Sequence, residues 1–119
     1  MAFKFESLMI WQKALELTEI VNDVSKRFPV SEQFNLTSQV KRAADSAGLN
    51  IAEGSQGQTK PEFKRFLAIS LRSCIEVVAC IFIAQQRKII SKSDFDLIYL
   101  KEEELVKMIQ SLRNKLSQP

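Results

Sequence analysis

The stretch RAADSAGLNIAEG, residues 42–54, decides the fold predicted for this chain, because it is a small-residue helical segment with two different faces. At 3.6 residues per turn, one stripe of this helix is apolar and a second stripe is polar. The apolar stripe, continued into the preceding turns, holds Leu36, Val40, Ala43, Ala47 and Ile51. The polar stripe holds Arg42, Ser46, Asn50 and Glu53. We therefore expect this helix to face two different neighbours.

The chain is predicted to form four helices, and the opening stretch belongs to the second of them. The first, at about residues 7–28, repeats apolar residues at intervals of four and three, with Ser7 as its cap and Pro29 after its end. The second, at about 32–53, is expected to begin after Ser31 as its cap, to contain the opening stretch and to stop at Gly54. The third, at about 60–88, follows the capping residue Thr59, and the fourth, at about 92–116, is expected to start near Ser91 or Ser93. The polar segment 54–59 should be a loop, and it lacks the preceding strand that a phosphate-binding glycine loop requires.

The third helix is apolar on all sides. Between Cys74 and Ala84 the only charged residue is Glu76. A helix of this kind is normally buried on several sides, yet a four-helix bundle has no central helix. The sequence therefore predicts an all-α, antiparallel, up-and-down four-helix bundle that associates with copies of itself.

Composition limits the class of protein further. A length of 119 residues suits one domain, and a net charge of +3 with a pI near 9.0 permits a polyanionic partner without requiring one. No secretory signal is recognisable, and the longest apolar run, residues 77–84, is too short to cross a bilayer. We expect a cytoplasmic protein without a membrane span, in which Cys74 and Cys80 are buried free thiols.

The chain contains no histidine, which excludes many catalytic sites. Serine and cysteine hydrolases of the usual kind, zinc sites and di-iron bundle sites all depend on imidazole or on more ligands than two cysteines supply. We therefore predict no catalytic residues, no cofactor, no metal and no enzymatic activity. Glu53 and Glu76 are the carboxylates expected near buried surface, as partners of cations, and the run KEEE at 101–104 is expected to be solvated.

A band of polar and charged residues, here called the polar seam, is predicted on the faces of the second and third helices that pack against another helix or subunit. Arg72 and Glu76 are four residues apart and able to form an ion pair. Arginine grips carboxylate and phosphate equally well, so the arginines of this seam could fix helix or subunit contacts or could bind phosphate. The sequence leaves open whether the seam lies within one protomer or between protomers. Its predicted members are Arg42, Ser46, Asn50, Glu53, Arg65, Arg72 and Glu76.

Nucleic acid would be contacted first by cations without an evident partner. These are Lys41, Arg42, Lys60, Lys64, Arg65, Arg87, Lys88 and Lys92. No aromatic stacking platform or sequence-reading module accompanies them, so only salt-sensitive binding to the phosphate backbone is predicted. The competing hypothesis is a protein–protein interaction module with no role in nucleic-acid binding.

Four segments carry a family resemblance. They read LMIWQKA at 8–14, FPVSEQFNLTSQVKRAADS at 28–46, NIAEG at 50–54 and EFKRFLAISLRSCIE at 62–76. In this order and spacing they resemble the proteins encoded in intervening sequences of bacterial 23S ribosomal RNA genes. The accessory variability determinants of diversity-generating retroelements are similar in fold. The resemblance implies a cytoplasmic four-helix bundle that forms a ring-like homopentamer, has no known enzymatic activity and associates with RNA or a ribonucleoprotein.

Overall fold

Four α-helices and two short 3-10 helices make up the fold in a computed structural model, which describes residues 2–57 and 59–119. The described residues contain no β-strand, so the all-α prediction is confirmed. The 3-10 helices span Lys4–Ser7 and Val30–Glu32. The α-helices are α1 (Met9–Ser25), α2 (Leu36–Ser55), α3 (Lys60–Gln86) and α4 (Lys92–Leu116).

Neighbouring helices run antiparallel around a closed bundle. Between α1 and α4, Lys13 pairs with Glu104 at 3.1 Å and Glu16 pairs with Lys101 at 2.7 Å, so residue numbers rise along one helix as they fall along the other. The same relation holds between α2 and α3. Both α1 and α3 pack against α2 and α4, which places α1 and α3 on a diagonal. The helices lie along the long dimension of a body measuring 48 × 24 × 20 Å.

The core consists of two apolar clusters stacked along the bundle, and all four helices contribute side chains to each. Burial of these side chains is the main source of stability, because it removes apolar surface from water. The first cluster contains Val21, Val24, Phe28, Leu36, Val40, Ala43, Ala44, Val77, Cys80, Ile81, Ala84, Phe95 and Ile98. The second contains Ile10, Ala14, Leu17, Ala47, Ile51, Leu67, Cys74, Leu105 and Ile109.

The first two α-helices begin later than the sequence predicted. Ser7 does not cap α1, because its hydroxyl donates to the Lys4 carbonyl at 3.2 Å inside the preceding 3-10 helix. The residue before α1 is Leu8, in an extended conformation without a side-chain cap. Helix α2 begins at Leu36 rather than near residue 32, since the chain after Pro29 first forms a 3-10 turn. The third and fourth helices begin and end within two residues of their predicted bounds.

Gly54 does not end α2, as the sequence had suggested. The helix continues through Ser55, and Gly54 does not have a positive φ. A Cβ atom at this position would lie 2.7 Å from Phe66 Cβ and 2.9 Å from Phe63 Cδ1. The glycine therefore allows α2 to approach the first turns of α3 closely. The predicted loop shrinks to about residues 56–59, of which Gln58 lies outside the described residues.

Helix α3 is long and apolar enough, by length and composition alone, to cross a membrane. One window of 18 residues within it has a mean hydropathy of 2.1, and 39% of that window is buried in the bundle. The sequence prediction considered only the longest uninterrupted apolar run and missed this property. The central helices of soluble proteins pass the same test, and α3 supplies eight buried residues to this bundle.

Candidate nucleic-acid interface

The cations predicted to contact nucleic acid are divided among three places in the fold. Lys41 and Arg42 are exposed near the start of α2. The connection between α3 and α4 carries a second group, and the first two turns of α3 carry a third. The second group is Arg87, Lys88 and Lys92, and the third is Lys60, Lys64 and Arg65. These last two groups lie at the two ends of α3, which is 27 residues long, and therefore at opposite ends of the bundle.

Two of the three cations in the connection between α3 and α4 are paired with carboxylates. Arg87 Nη1 lies 3.1 Å from each carboxylate oxygen of Glu32, and Lys92 Nζ donates to Asp96 Oδ2 at 2.8 Å. Lys88 is exposed at a left-handed backbone position with φ of 59°. Such surface pairs add little stability, but each carboxylate offsets the charge that a phosphate would meet. This end of the bundle is therefore only weakly attractive to a polyanion.

The start of α3 differs because its cations are free of carboxylate partners. Within the described ranges, no Asp or Glu lies at ion-pair distance from Lys60, Lys64 or Arg65. Arg65 lies 4.6 Å from the centre of the Phe66 ring, a contact that leaves its charge uncompensated. A groove of about 470 Å³ opens beside these residues, lined by Pro61, Lys64, Arg65, Arg113, Leu116 and Ser117.

Only the uncharged residues of the predicted polar seam form side-chain hydrogen bonds within the described part of the chain. Ser73 on α3 donates to Ser46 Oγ at 2.9 Å, and Asn50 donates to the carbonyl and hydroxyl of Ser46 at 2.9 and 3.1 Å. The charged members are exposed and, among the residues described, make no ion pair with one another, including the predicted pair of Arg72 and Glu76. These charged members are Arg42, Glu53, Arg65, Arg72 and Glu76.

Comparison with known proteins identifies the family. A family model described as 23S rRNA-intervening sequence protein matches residues 6–111. The chain belongs to this family. The expected resemblance is thus confirmed over nearly the whole bundle. No match was found among curated proteins.

A solved structure supports the same assignment. It is a crystal structure of a protein of unknown function from the S23 ribosomal protein family of Bacteroides thetaiotaomicron VPI-5482. The two chains share 26% sequence identity and superpose with a TM-score of 0.81, covering 88% of this chain and 98% of the other. The four-helix fold of this chain is therefore also that of a solved relative.

The buried carboxylate of this family member is Glu102, and sequence reasoning missed it. Glu53 and Glu76, which were expected near buried surface, are exposed. Glu102 is only 1% exposed, although the run 101–104 was expected to be solvated. The signal was present in the sequence, because Glu102 occupies the core position between Ile98 and Leu105 on α4.

Glu102 lies where the two apolar clusters meet and has the Cys74 thiol as its polar neighbour. Neither of its carboxylate oxygens has a hydrogen-bond partner among the described residues. Burial raises the pKa of Glu102 from an ordinary value of 4.5 to about 7, and the thiol lowers it slightly. Burial, together with the nearby Glu102 carboxylate, raises the pKa of Cys74 well above its usual range. The described residues hold no group of three or more Cys, Asp or Glu able to bind a metal ion.

Apolar surface remains uncovered on two sides of the bundle. Between α3 and α4 a groove of about 460 Å³ is lined by Phe82, Phe95, Asp96, Tyr99 and Leu100. A second groove of about 200 Å³ continues from Tyr99 along the same two helices and is lined by Ile75, Val78, Glu102, Glu103 and Val106. Across the bundle, α1 and α2 form a groove of about 250 Å³, lined by Trp11, Leu15, Thr18, Asp45, Gly48 and Leu49.

Proposed function

We propose that this protein is a non-enzymatic, cytoplasmic scaffold that binds RNA or a ribonucleoprotein partner through the cations at the start of α3. The observation that carries the proposal is the grouping of Lys60, Lys64 and Arg65 without carboxylate partners, in contrast to the paired Arg87 and Lys92. Free cations on a rigid helix neutralise phosphates and release their counterions. Membership of the 23S rRNA-intervening sequence family makes RNA the polyanion to test first.

We further propose that the scaffold is a homo-oligomer, and a ring-like pentamer in particular. The support is the apolar surface of α3 and α4, where Ile75 is 62% exposed and Phe82 is 49% exposed. Contiguous apolar patches of this kind mark sites of protein association. A contact between unlike faces, such as the α3–α4 grooves and the α1–α2 groove, closes into a ring when the rotation between copies allows it. A ring would repeat each basic group and raise the avidity for a long polyanion.

A titration with a fluorescein-labelled RNA hairpin tests the RNA proposal. Fluorescence anisotropy is measured at about 50 mM and about 200 mM KCl, and the affinity should fall steeply with salt. The test variant replaces Lys60, Lys64 and Arg65 by glutamine, and the matched control replaces Arg87, Lys88 and Lys92 by glutamine. Both variants lose three positive charges, but only the first should abolish binding.

Two results of this titration would contradict the RNA proposal or its assignment to the start of α3. Equal weakening by both triple variants would mean that net charge, and not the start of α3, governs binding. An absence of binding by the wild-type protein at the lower salt concentration would contradict the RNA proposal. The exposed apolar grooves would then favour the second candidate function, a protein–protein interaction module.

A further inference from the structure

The groove at one end of the bundle brings together cations that are distant in sequence. It lies between the first turns of α3 and the last turns of α4, which are neighbours because the two helices are antiparallel. Lys64 and Arg65 come from α3, and Arg113 comes from α4. Lys60 lies one turn before Lys64 on the same helix. No carboxylate is among the residues lining this groove.

Arg113 has few partners within the protein, although part of its guanidinium is buried. A guanidinium has five N–H donors, which suit the oxygens of an anion. In the structure the Nε atom of Arg113 is buried without a partner, and Nη1 reaches only Gln110 Oε1, at a long 3.4 Å. Within the described ranges no carboxylate lies at ion-pair distance from Arg113. The guanidinium therefore keeps N–H donors without a partner among the described residues, and an oxyanion is the group best suited to accept from them.

The side chains, and not the helix ends, give this groove its positive potential. The positive end of the α3 dipole lies beside the negative end of the α4 dipole, so the two contributions oppose each other. Glu62, in the first turn of α3, does not line the groove. Three full positive charges therefore face the groove without a compensating charge among its lining residues.

We propose that this groove is a phosphate-binding subsite that takes a phosphodiester of bound RNA, with Arg113 as its anchor and Lys64 and Arg65 on either side of the phosphate. The inference rests on the proposed RNA-binding function and extends it to a residue of α4. The volume of about 470 Å³ exceeds that of a single phosphate and leaves room for the adjoining ribose. Because no residue positioned to read bases accompanies the cations, the subsite should accept any RNA sequence.

Two measurements on the intact 119-residue chain test this subsite. The first is the thermal unfolding midpoint in inorganic phosphate and in chloride at equal ionic strength. A ligand that binds the folded state raises the midpoint, so phosphate should stabilise the wild type and not Arg113→Gln. The matched control is Arg27→Gln, which loses the same charge at the opposite end of the bundle, where Arg27 pairs with Asp94 at 2.7 Å. The control should keep the full phosphate effect.

The second measurement is the affinity for the labelled RNA hairpin as a function of salt. Arg113→Gln should weaken binding at least fivefold and reduce the slope of log K against log salt by about 1, whereas Arg27→Gln should change affinity less than about twofold. Arg113→Lys keeps the charge without the planar fork, and it should restore the salt slope but only part of the affinity. Circular dichroism confirms that each variant is folded.

The outcomes distinguish the subsite from the RNA proposal as a whole. If the wild type binds RNA and Arg113→Gln binds equally well, the subsite is wrong and the RNA function stands. If the wild type binds no RNA, the phosphate-dependent midpoint alone decides: stabilisation lost in Arg113→Gln supports an anion subsite, and equal midpoints in phosphate and chloride overturn it.

Discussion

The buried carboxylate of Glu102 should make the stability of this protein fall as pH rises from 4.5 to about 7. The folded state holds the proton more tightly than the unfolded chain, because burial raises the pKa of Glu102 from 4.5 to about 7. Below pH 4.5 both states are protonated and the full stability is present. Between the two pKa values only the folded state carries the proton, so stability is lost as pH rises. Above the folded-state pKa no further loss from this group occurs.

The magnitude follows from the difference between the two pKa values. One pKa unit corresponds to about 1.4 kcal/mol, so the full effect is about 3 kcal/mol. Between pH 5 and pH 8.5 the loss should be about 2.5 kcal/mol, because little of the effect has been lost at the lower pH. This range avoids the titration of exposed carboxylates at lower pH. It also avoids the buried thiols of Cys74 and Cys80, whose pKa values are raised by burial.

The test compares wild type with Glu102→Gln by urea unfolding at several pH values and a fixed protein concentration, followed by far-UV circular dichroism. Glutamine cannot ionise, so its pH profile should be flat where the wild-type profile falls. Any constant cost of burying an amide cancels when the slopes are compared. Glu103→Gln, at the exposed neighbouring position, is the control and should retain the wild-type slope. Parallel profiles for wild type and Glu102→Gln would refute the reasoning.

Two further predictions concern helix packing and assembly. Gly54→Ala should be less stable than Gly48→Ala by about 1 to 3 kcal/mol in urea unfolding: both gain helix propensity, but a Cβ at Gly54 would lie 2.7 Å from Phe66 Cβ, whereas one at Gly48 would lie 3.5 Å from Trp11 Cζ3. Equal stabilities would show that α3 can move away at no cost. Light scattering should give a mass several times the 13.6 kDa of one chain. Ile75→Ser, in the α3–α4 groove, should reduce this mass. Leu97→Ser, at an exposed position outside the grooves, should leave it unchanged. A stable wild-type monomer would contradict the oligomer proposal.

The helices that sequence reasoning located best are those with a strong local signal. At the start of α3, Thr59 Oγ1 accepts a hydrogen bond from the Glu62 amide at 3.2 Å, as the sequence predicted. Ser91 Oγ accepts one from the Asp94 amide at 3.1 Å at the start of α4. The start of α2 was misplaced because Ser31 was read as a cap, whereas the chain after Pro29 forms a 3-10 turn and Asn35 precedes the helix without a side-chain cap. A short polar side chain is equally compatible with a cap and with a turn, and only tertiary packing separates the two.

The residues of the candidate site that are close in sequence could be predicted, whereas those that only the fold brings together could not. Lys60, Lys64 and Arg65 could be proposed from sequence because they lie within two turns of one helix. Arg113 could not, because it joins them only through the antiparallel packing of α4 against α3. The partner of Arg87 is also long-range, since Glu32 reaches it across 55 residues of sequence, whereas Lys92 and Asp96 are only four residues apart. The sequence offers three cations at each of these two ends of the bundle. Only the fold shows that, among the described residues, carboxylates pair with Arg87 and Lys92 at one end and with none of Lys60, Lys64 and Arg65 at the other.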